Sequence, residues 1–179
     1  SSAAYARAPY STDFEAALAI ATARAINAVV RPAPKVLVLD CDHTLWRGVV
    51  GEDGPLGLVV EKGHAKLQRL AATAVDAGTL LCLASKNDEA DVWRVFDTRH
   101  DMLIRREHVV AAAVNWLPKS QNLHALASQL NLGIDSFVFV DDNPVECAEV
   151  RAACPEVLTL RDFIEAFIRF REEVITRRT

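Results

Sequence analysis

The chain is 179 residues long with a formal net charge of −4, and 51% of its residues are hydrophobic and 25% charged. These values fit one globular domain that buries its own core, and they exclude a disordered or fibrous chain. Basic residues are scattered apart from Arg177 and Arg178 near the end, so there is no footprint for nucleic acid. No apolar run reaches membrane-spanning length or follows a basic leader, which predicts a cytoplasmic protein with no membrane partner.

In chain order, Phe14, Leu18, Ile26 and Val30 among many alanines predict a helix over 12–30, stopped by Pro32 and Pro34. Residues 1–34 then make a helical lead-in or linker and 35–179 the main domain, and the start at Ser1 rather than Met suggests either a piece of a longer polypeptide or a processed chain. Val36-Leu37-Val38-Leu39 is a short unbroken apolar run that suits a strand buried on both faces, ending at Asp40. The glycine-rich stretch 46–57, with its Glu52-Asp53-Gly54-Pro55 turn, predicts a hairpin or flap rather than a helix. Leu67, Leu70, Ala71 and Ala74 with Gly78 behind them predict a helix over about 61–77. The strand Leu80–Ala84 leads to Ser85-Lys86-Asn87, and Val92, Val95 and Phe96 mark a following helix. A helix over 118–130 precedes the strand Phe137–Val140, which ends at Asp141-Asp142. Asn143 then reads as an N-cap, Pro144 as a first-turn proline and Glu146 as a capping-box acid. Alternating strands and helices predict an α/β domain, a doubly wound parallel sheet with its ligand site at the strands' C-terminal ends.

That topology brings Asp40 and Asp42 to the same sheet edge as Asp141 and Asp142. Clustered carboxylates repel one another unless a cation lies among them, and hard oxygen donors beside a phosphate are a setting for Mg²⁺. Ser85 shares the edge and can donate to a phosphoryl oxygen, while Lys119 at a helix start can neutralise its charge.

Asp40-Cys41-Asp42-His43-Thr44, Ser85, Lys119 and Asp141-Asp142 stand in the order of the four motifs of the haloacid-dehalogenase (HAD) superfamily, which the chain resembles over about residues 35–160. The resemblance implies a HAD-like Rossmannoid fold with a small flap and no large cap domain. It implies Asp40 as nucleophile or metal ligand, Asp42 as general acid/base that also lends its carbonyl to Mg²⁺, and Asp141 supported by Asp142 as the further metal ligands. Thr44, Ser85, Lys86, Asn87 and Lys119 would hold the substrate phosphate. More narrowly, residues 39–54, 84–92, 115–123 and 139–146 resemble the FkbH-like branch of polyketide assembly lines. That likeness implies a domain of a polyketide synthase polypeptide that dephosphorylates 1,3-bisphosphoglycerate, or a similar three-carbon phosphate, and passes the glyceryl group to the phosphopantetheine thiol of an acyl carrier protein.

Two positions depart from the usual HAD pattern. Cys41 fills a slot that is often apolar, and a thiolate there can capture an acyl phosphate as a thioester, so with the resemblance it becomes a candidate nucleophile. His43 stands where many relatives have Asn or Gly, in reach of proton transfer by its place in the motif loop. Cys82, Cys147 and Cys154 show no metal-site spacing and read as small packing residues, and Trp46 and Trp116 flank the motif loops. The rival expectations are a simple Mg²⁺-dependent phosphomonoesterase in which Cys41 is inert, and a catalytically inactive docking module.

Overall fold

The computed structural model describes residues 34–161. The helix expected over 12–30 lies outside the described residues, as does the end of the main domain beyond Arg161. Among the described residues five strands form one parallel sheet: β1 (Val36–Leu39), β2 (Leu80–Ser85), β3 (Val109–Val114), β4 (Phe137–Val140) and β5 (Leu158–Leu160), in the order β3-β2-β1-β4-β5. The helices are α1 (Val50–Gly57), α2 (Lys62–Asp76), α3 (Glu89–Thr98), α4 (Lys119–Leu130) and α5 (Pro144–Ala153). None is long and apolar enough to cross a membrane.

Successive strand side chains point to opposite faces, and both faces are covered, which is why β1 and β4 read as continuous apolar runs. Leu37, Leu39, Leu81, Leu83, Val138 and Val140 pack with Leu67 and Ala71 of α2 and Val92 and Phe96 of α3. Val36, Val38, Cys82, Ala84, Phe137 and Phe139 pack on the other side with Leu123 and Leu126 of α4 and Val150 of α5. The chain leaves β1 toward β2 on one side and returns to β4 on the other. Asp40 therefore sits at the point where strand order reverses, the place where open α/β sheets bind ligands.

The expected strands and helices between 36 and 153 are present, with three corrections. The stretch 46–57 is not a plain hairpin: Arg47 and Val59 form an antiparallel bridge at its base, and the loop they close contains α1, kinked at Gly54. Local turn chemistry hid this helix, because Gly51, Gly54 and Pro55 are poor helix residues that are held here by tertiary contacts. Strands β3 and β5 were not expected; β3 is alanine-rich and lies at the sheet edge, and β5 is only 3 residues long. Finally, Asn143 does cap α5 by accepting from the Val145 amide, but its own N–H goes to Asp141 Oδ1 (2.8 Å), so Glu146 does not complete a capping box. At the other end of the sheet, Gly78 has φ 96° behind α2, a left-handed turn suited to glycine.

Candidate active site

The register pairs Leu39 with Val140, and the Asp40 amide donates to the Val140 carbonyl (3.0 Å). The residues that follow these strand ends, Asp40 and Asp141, are thus set side by side at the sheet edge. One oxygen each from Asp40, Asp141 and Asp142 lies within 4.8 Å of the others. Asp40 and Asp141 are buried and Asp142 is exposed, so the cluster has one open side. Three hard anionic donors in this arrangement fit Mg²⁺, which binds through a few carboxylates and keeps waters or phosphate oxygens in its remaining positions. Among the described residues, buried Asp141 Oδ2 accepts no well-formed hydrogen bond and has the Lys119 ammonium at 3.2 Å, which leaves it capacity for a cation.

Lys119, at the first position of α4, is 1% exposed and reaches across the sheet edge. Its ammonium donates to Asp40 Oδ1 and to the Ala84 carbonyl (2.6 Å), and it pairs with Asp141. Burial alone would pull this lysine down, yet the charges of Asp40 and Asp141 outweigh it and hold the ammonium above its ordinary range. Asp40 is pushed up to about 6, chiefly by burial, with Lys119 opposing and Asp141 adding to the rise. Asp141 is raised for the same leading reason.

These shifts have a sign in stability. A carboxyl whose folded pKa lies above its unfolded value binds more protons when folded, so stability is lost as pH rises from the ordinary carboxylate range through the folded pKa. The metal-free protein is therefore expected to resist urea better near about pH 5 than near about pH 7.5, with Mg²⁺ restoring the neutral-pH midpoint. Equal midpoints at the two pH values without metal would show that the carboxylates carry no such penalty.

Asp42 stands apart from the three-carboxylate cluster. Its Oδ1 accepts from Trp46 Nε1 (2.8 Å) and from the Val50 amide (3.1 Å), and its Oδ2 accepts from Asn87 Nδ2 (3.0 Å). Asn87 is buried and also donates to the Ser85 hydroxyl (3.0 Å), which sits close enough to Asp40 to oppose its upward shift. Thr44 ties the first motif loop to the fourth, donating to Asp142 Oδ1 (3.4 Å) and accepting from the Asp142 amide (3.2 Å). Lys86 pairs with Glu146 at 2.7 Å, linking the second motif loop to α5. Of the residues expected to hold phosphate, Thr44, Lys86 and Asn87 thus have partners within the protein, while Ser85 and Lys119 lie directly against Asp40 or its neighbours.

His43 has φ 57°, the left-handed region that Asn and Gly enter most easily. That accounts for the Asn or Gly at this place in the relatives that the sequence resembles: the loop turns here on its backbone. His64 holds the turn. Its Nδ1 accepts from the Glu61 amide (3.2 Å), which puts the ring proton on Nε2, 3.2 Å from the His43 carbonyl. His43→Asn is expected to raise stability by about 0.5–1 kcal/mol and to leave phosphate release within a few-fold of wild type. A large loss of activity in a stabilised variant would instead assign proton transfer to the exposed imidazole.

Cys41 is fully buried among the apolar residues of the β1 face. Burial pushes its thiol well above the ordinary range, and the neighbouring Asp40 charge pushes the same way. The thiolate needed for acyl capture is disfavoured on both counts. Cys82, Cys147 and Cys154 are likewise buried, as expected of packing residues. Trp46 is fully buried against Phe96, whereas Trp116 is 75% exposed.

Sequence reasoning missed the supports of the first motif loop. Gln68, buried in α2, donates to the Leu45 carbonyl (2.8 Å) and accepts from the Leu103 amide (2.7 Å). Arg99 donates to the Pro55 and Leu58 carbonyls (3.1 and 2.5 Å), clamping the end of α1. A polar residue on an otherwise apolar helix face was the only signal available for Gln68, and Arg99 gave none.

No family model and no curated protein matches the chain. Among solved structures, it is similar to the N-terminal part of protein BF1531 from Bacteroides fragilis, which contains a phosphatase domain complexed with Mg, at 28% identity and a TM-score of 0.74. The alignment covers 85% of this chain and 43% of that one, so this chain spans less than half the length of that relative. A HAD-family enzyme from Bacteroides thetaiotaomicron, in complex with magnesium and inorganic phosphate, shares the fold at 11% identity and a TM-score of 0.53 over 72% of this chain and 93% of that one. An uncharacterized protein from Corynebacterium glutamicum does so at 16% identity and 0.53 over 79% and 95%. Four motif segments stand in order along one sheet edge with no large cap among the described residues, and the chain has the HAD-like α/β fold.

Proposed function

We propose that the chain is a Mg²⁺-dependent phosphohydrolase of the HAD type, in which Asp40 attacks the phosphorus of a phosphorylated substrate. The observation that carries this reading is the contact of Lys119 with both Asp40 and Asp141 beside Asp142: one buried cation and three carboxylates at the strand switch point. Asp40, Asp141 and Asp142 would hold the ion, which when bound offsets the charge of the phosphoryl oxygens. Lys119 keeps Asp40 oriented and supplies positive charge to the group in transfer, and the Ser85 hydroxyl can donate to a phosphoryl oxygen. Asp42 gives a proton to the leaving oxygen and later takes one from the water that hydrolyses the aspartyl phosphate. The BF1531 domain, a phosphatase domain with bound Mg, supports the same chemistry here.

The test is phosphate release from a panel of small phosphate monoesters with Mg²⁺ and with chelator; no Mg²⁺-dependent release from any member would sink the reading. Cys41→Ala is expected to keep that release within a few-fold, because the thiol is packed in the core. A loss as large as that from an Asp40 variant would make Cys41 part of the chemistry.

The finer reading is that the substrate is a three-carbon acyl phosphate such as 1,3-bisphosphoglycerate, with an acyl carrier protein as acceptor within a polyketide synthase. It rests on the FkbH-like segments of the sequence and is favoured by Trp116, Leu117 and Val145, apolar side chains exposed on segments that follow β3 and β4, whose C-terminal ends line the site. Given the buried thiol, the carrier's own thiol attacking the acyl phosphate directly is the route that suits this site better than a Cys41 thioester. Intact-mass detection of an acylated carrier tests it, and Cys41→Ala loading the carrier at the normal rate separates the direct route from the thioester route.

A further inference from the structure

The carboxylate of Asp42 has about four acceptor positions, two on each oxygen. Trp46 Nε1 and the Val50 amide occupy both positions on Oδ1, and Asn87 Nδ2 occupies one on Oδ2. Among the described residues one position stays open, on Oδ2. A proton on Oδ1 would have to displace the indole or the amide.

The donors are not free to move aside. Trp46 is fully buried, edge-on to Phe96 at 6.3 Å between ring centroids. The Val50 amide belongs to the first residue of α1, whose loop is closed by the Arg47–Val59 bridge and gripped by Arg99 at Pro55 and Leu58. Asn87 is buried and braced on Ser85. The flap is thus fastened to the core at both ends, and its fastening points aim donors at one oxygen of Asp42.

We propose that Trp46, the Val50 amide and Asn87 form a positioning device that fixes which oxygen of Asp42 handles the proton, leaving Oδ2 as the atom that gives and takes it. The inference rests on the role given to Asp42 under the proposed function. In the first step the Asp40 oxygen bonds to phosphorus, the bond from phosphorus to the leaving oxygen breaks, and the proton on Oδ2 passes to that oxygen. In the second, water bonds to phosphorus, the bond to Asp40 breaks, and a water proton returns to Oδ2. Trp46 touches no reacting atom and acts through Asp42.

The test compares kcat/KM for an alkyl phosphate, whose leaving oxygen needs a proton, and for 4-nitrophenyl phosphate, whose leaving group departs without one. Trp46→Phe keeps an aromatic ring, smaller than the indole, but removes the donor. The ratio of the two kcat/KM values is expected to shift about tenfold or more against the alkyl phosphate, a part of the 10²–10⁴-fold that proton transfer by a placed side chain supplies. In an Asp42→Asn background, Trp46→Phe should shift the ratio no further. Asn87→Ala, which frees a second position on Oδ2, should move the ratio in the same direction and serves if Trp46→Phe folds poorly. If Asp42→Asn shifts the ratio while neither Trp46→Phe nor Asn87→Ala does, the positioning device is refuted and the role of Asp42 stands. If Asp42→Asn leaves the ratio unchanged, or the wild type releases no phosphate, the function reading falls and this inference falls with it.

Discussion

Asp40→Asn is expected to lower Mg²⁺-dependent phosphate release by about 10³-fold or more, the scale of losing a covalent catalyst. The carboxamide is nearly the same shape, so the β1 end and its hydrogen bond to Val140 should persist. What disappears is the nucleophilic oxygen and one anionic donor of the three-carboxylate cluster. Steady-state kinetics at saturating Mg²⁺, with circular dichroism to check folding, decide the matter. Activity within tenfold of wild type would place the nucleophile elsewhere.

Lys119→Met is expected to have the largest effect on stability as well as a strong one on activity. The lysine is 1% exposed and sits between Asp40 and Asp141. Replacing it with an uncharged chain of similar length leaves two buried carboxylates facing each other, and breaking a buried ion pair by removing one partner costs about 3–5 kcal/mol. The loss should be smaller near about pH 5, where the raised carboxyls take up protons, and smaller again when Mg²⁺ is added at neutral pH. Phosphate release should fall by about 10²–10³-fold. Urea titrations at two pH values, with and without Mg²⁺, read the stability part. A loss that ignores both pH and Mg²⁺ would mean that the lysine matters for packing alone.

Much of this architecture was legible from the residues. The runs 36–39, 80–84 and 137–140 announced buried strands because both their faces are covered, and a parallel sheet has one edge at which all its strands end. That geometric rule alone places Asp40 and Asp141 together. Side-chain direction was not legible. The same spacing that made Asp42 look like a partner of the metal site also lets its carboxylate turn to Trp46, Val50 and Asn87. Its neighbours in sequence make Cys41 a candidate nucleophile, but strand-end residues alternate in direction, and the residue between Asp40 and Asp42 packs into the core. The flap helix escaped because tertiary contacts, among them the Arg99 clamp, override the weak propensity of a segment with three glycines and a proline. His43 shows the converse: its left-handed backbone angle accounts for the Asn or Gly of the pattern that the sequence resembles, while the histidine that stands here has no structural explanation.

Under the proposed function Asp40 takes the phosphoryl group. This is tested most directly by mixing the protein with a phosphate monoester and Mg²⁺, quenching in acid within a turnover, and mapping covalent phosphate on the peptide that spans β1 and Asp40. Phosphate is expected on Asp40, absent with chelator and absent in Asp40→Asn. Phosphate release at the wild-type rate from Asp40→Asn, with no covalent adduct at any time point in the wild type, would contradict it.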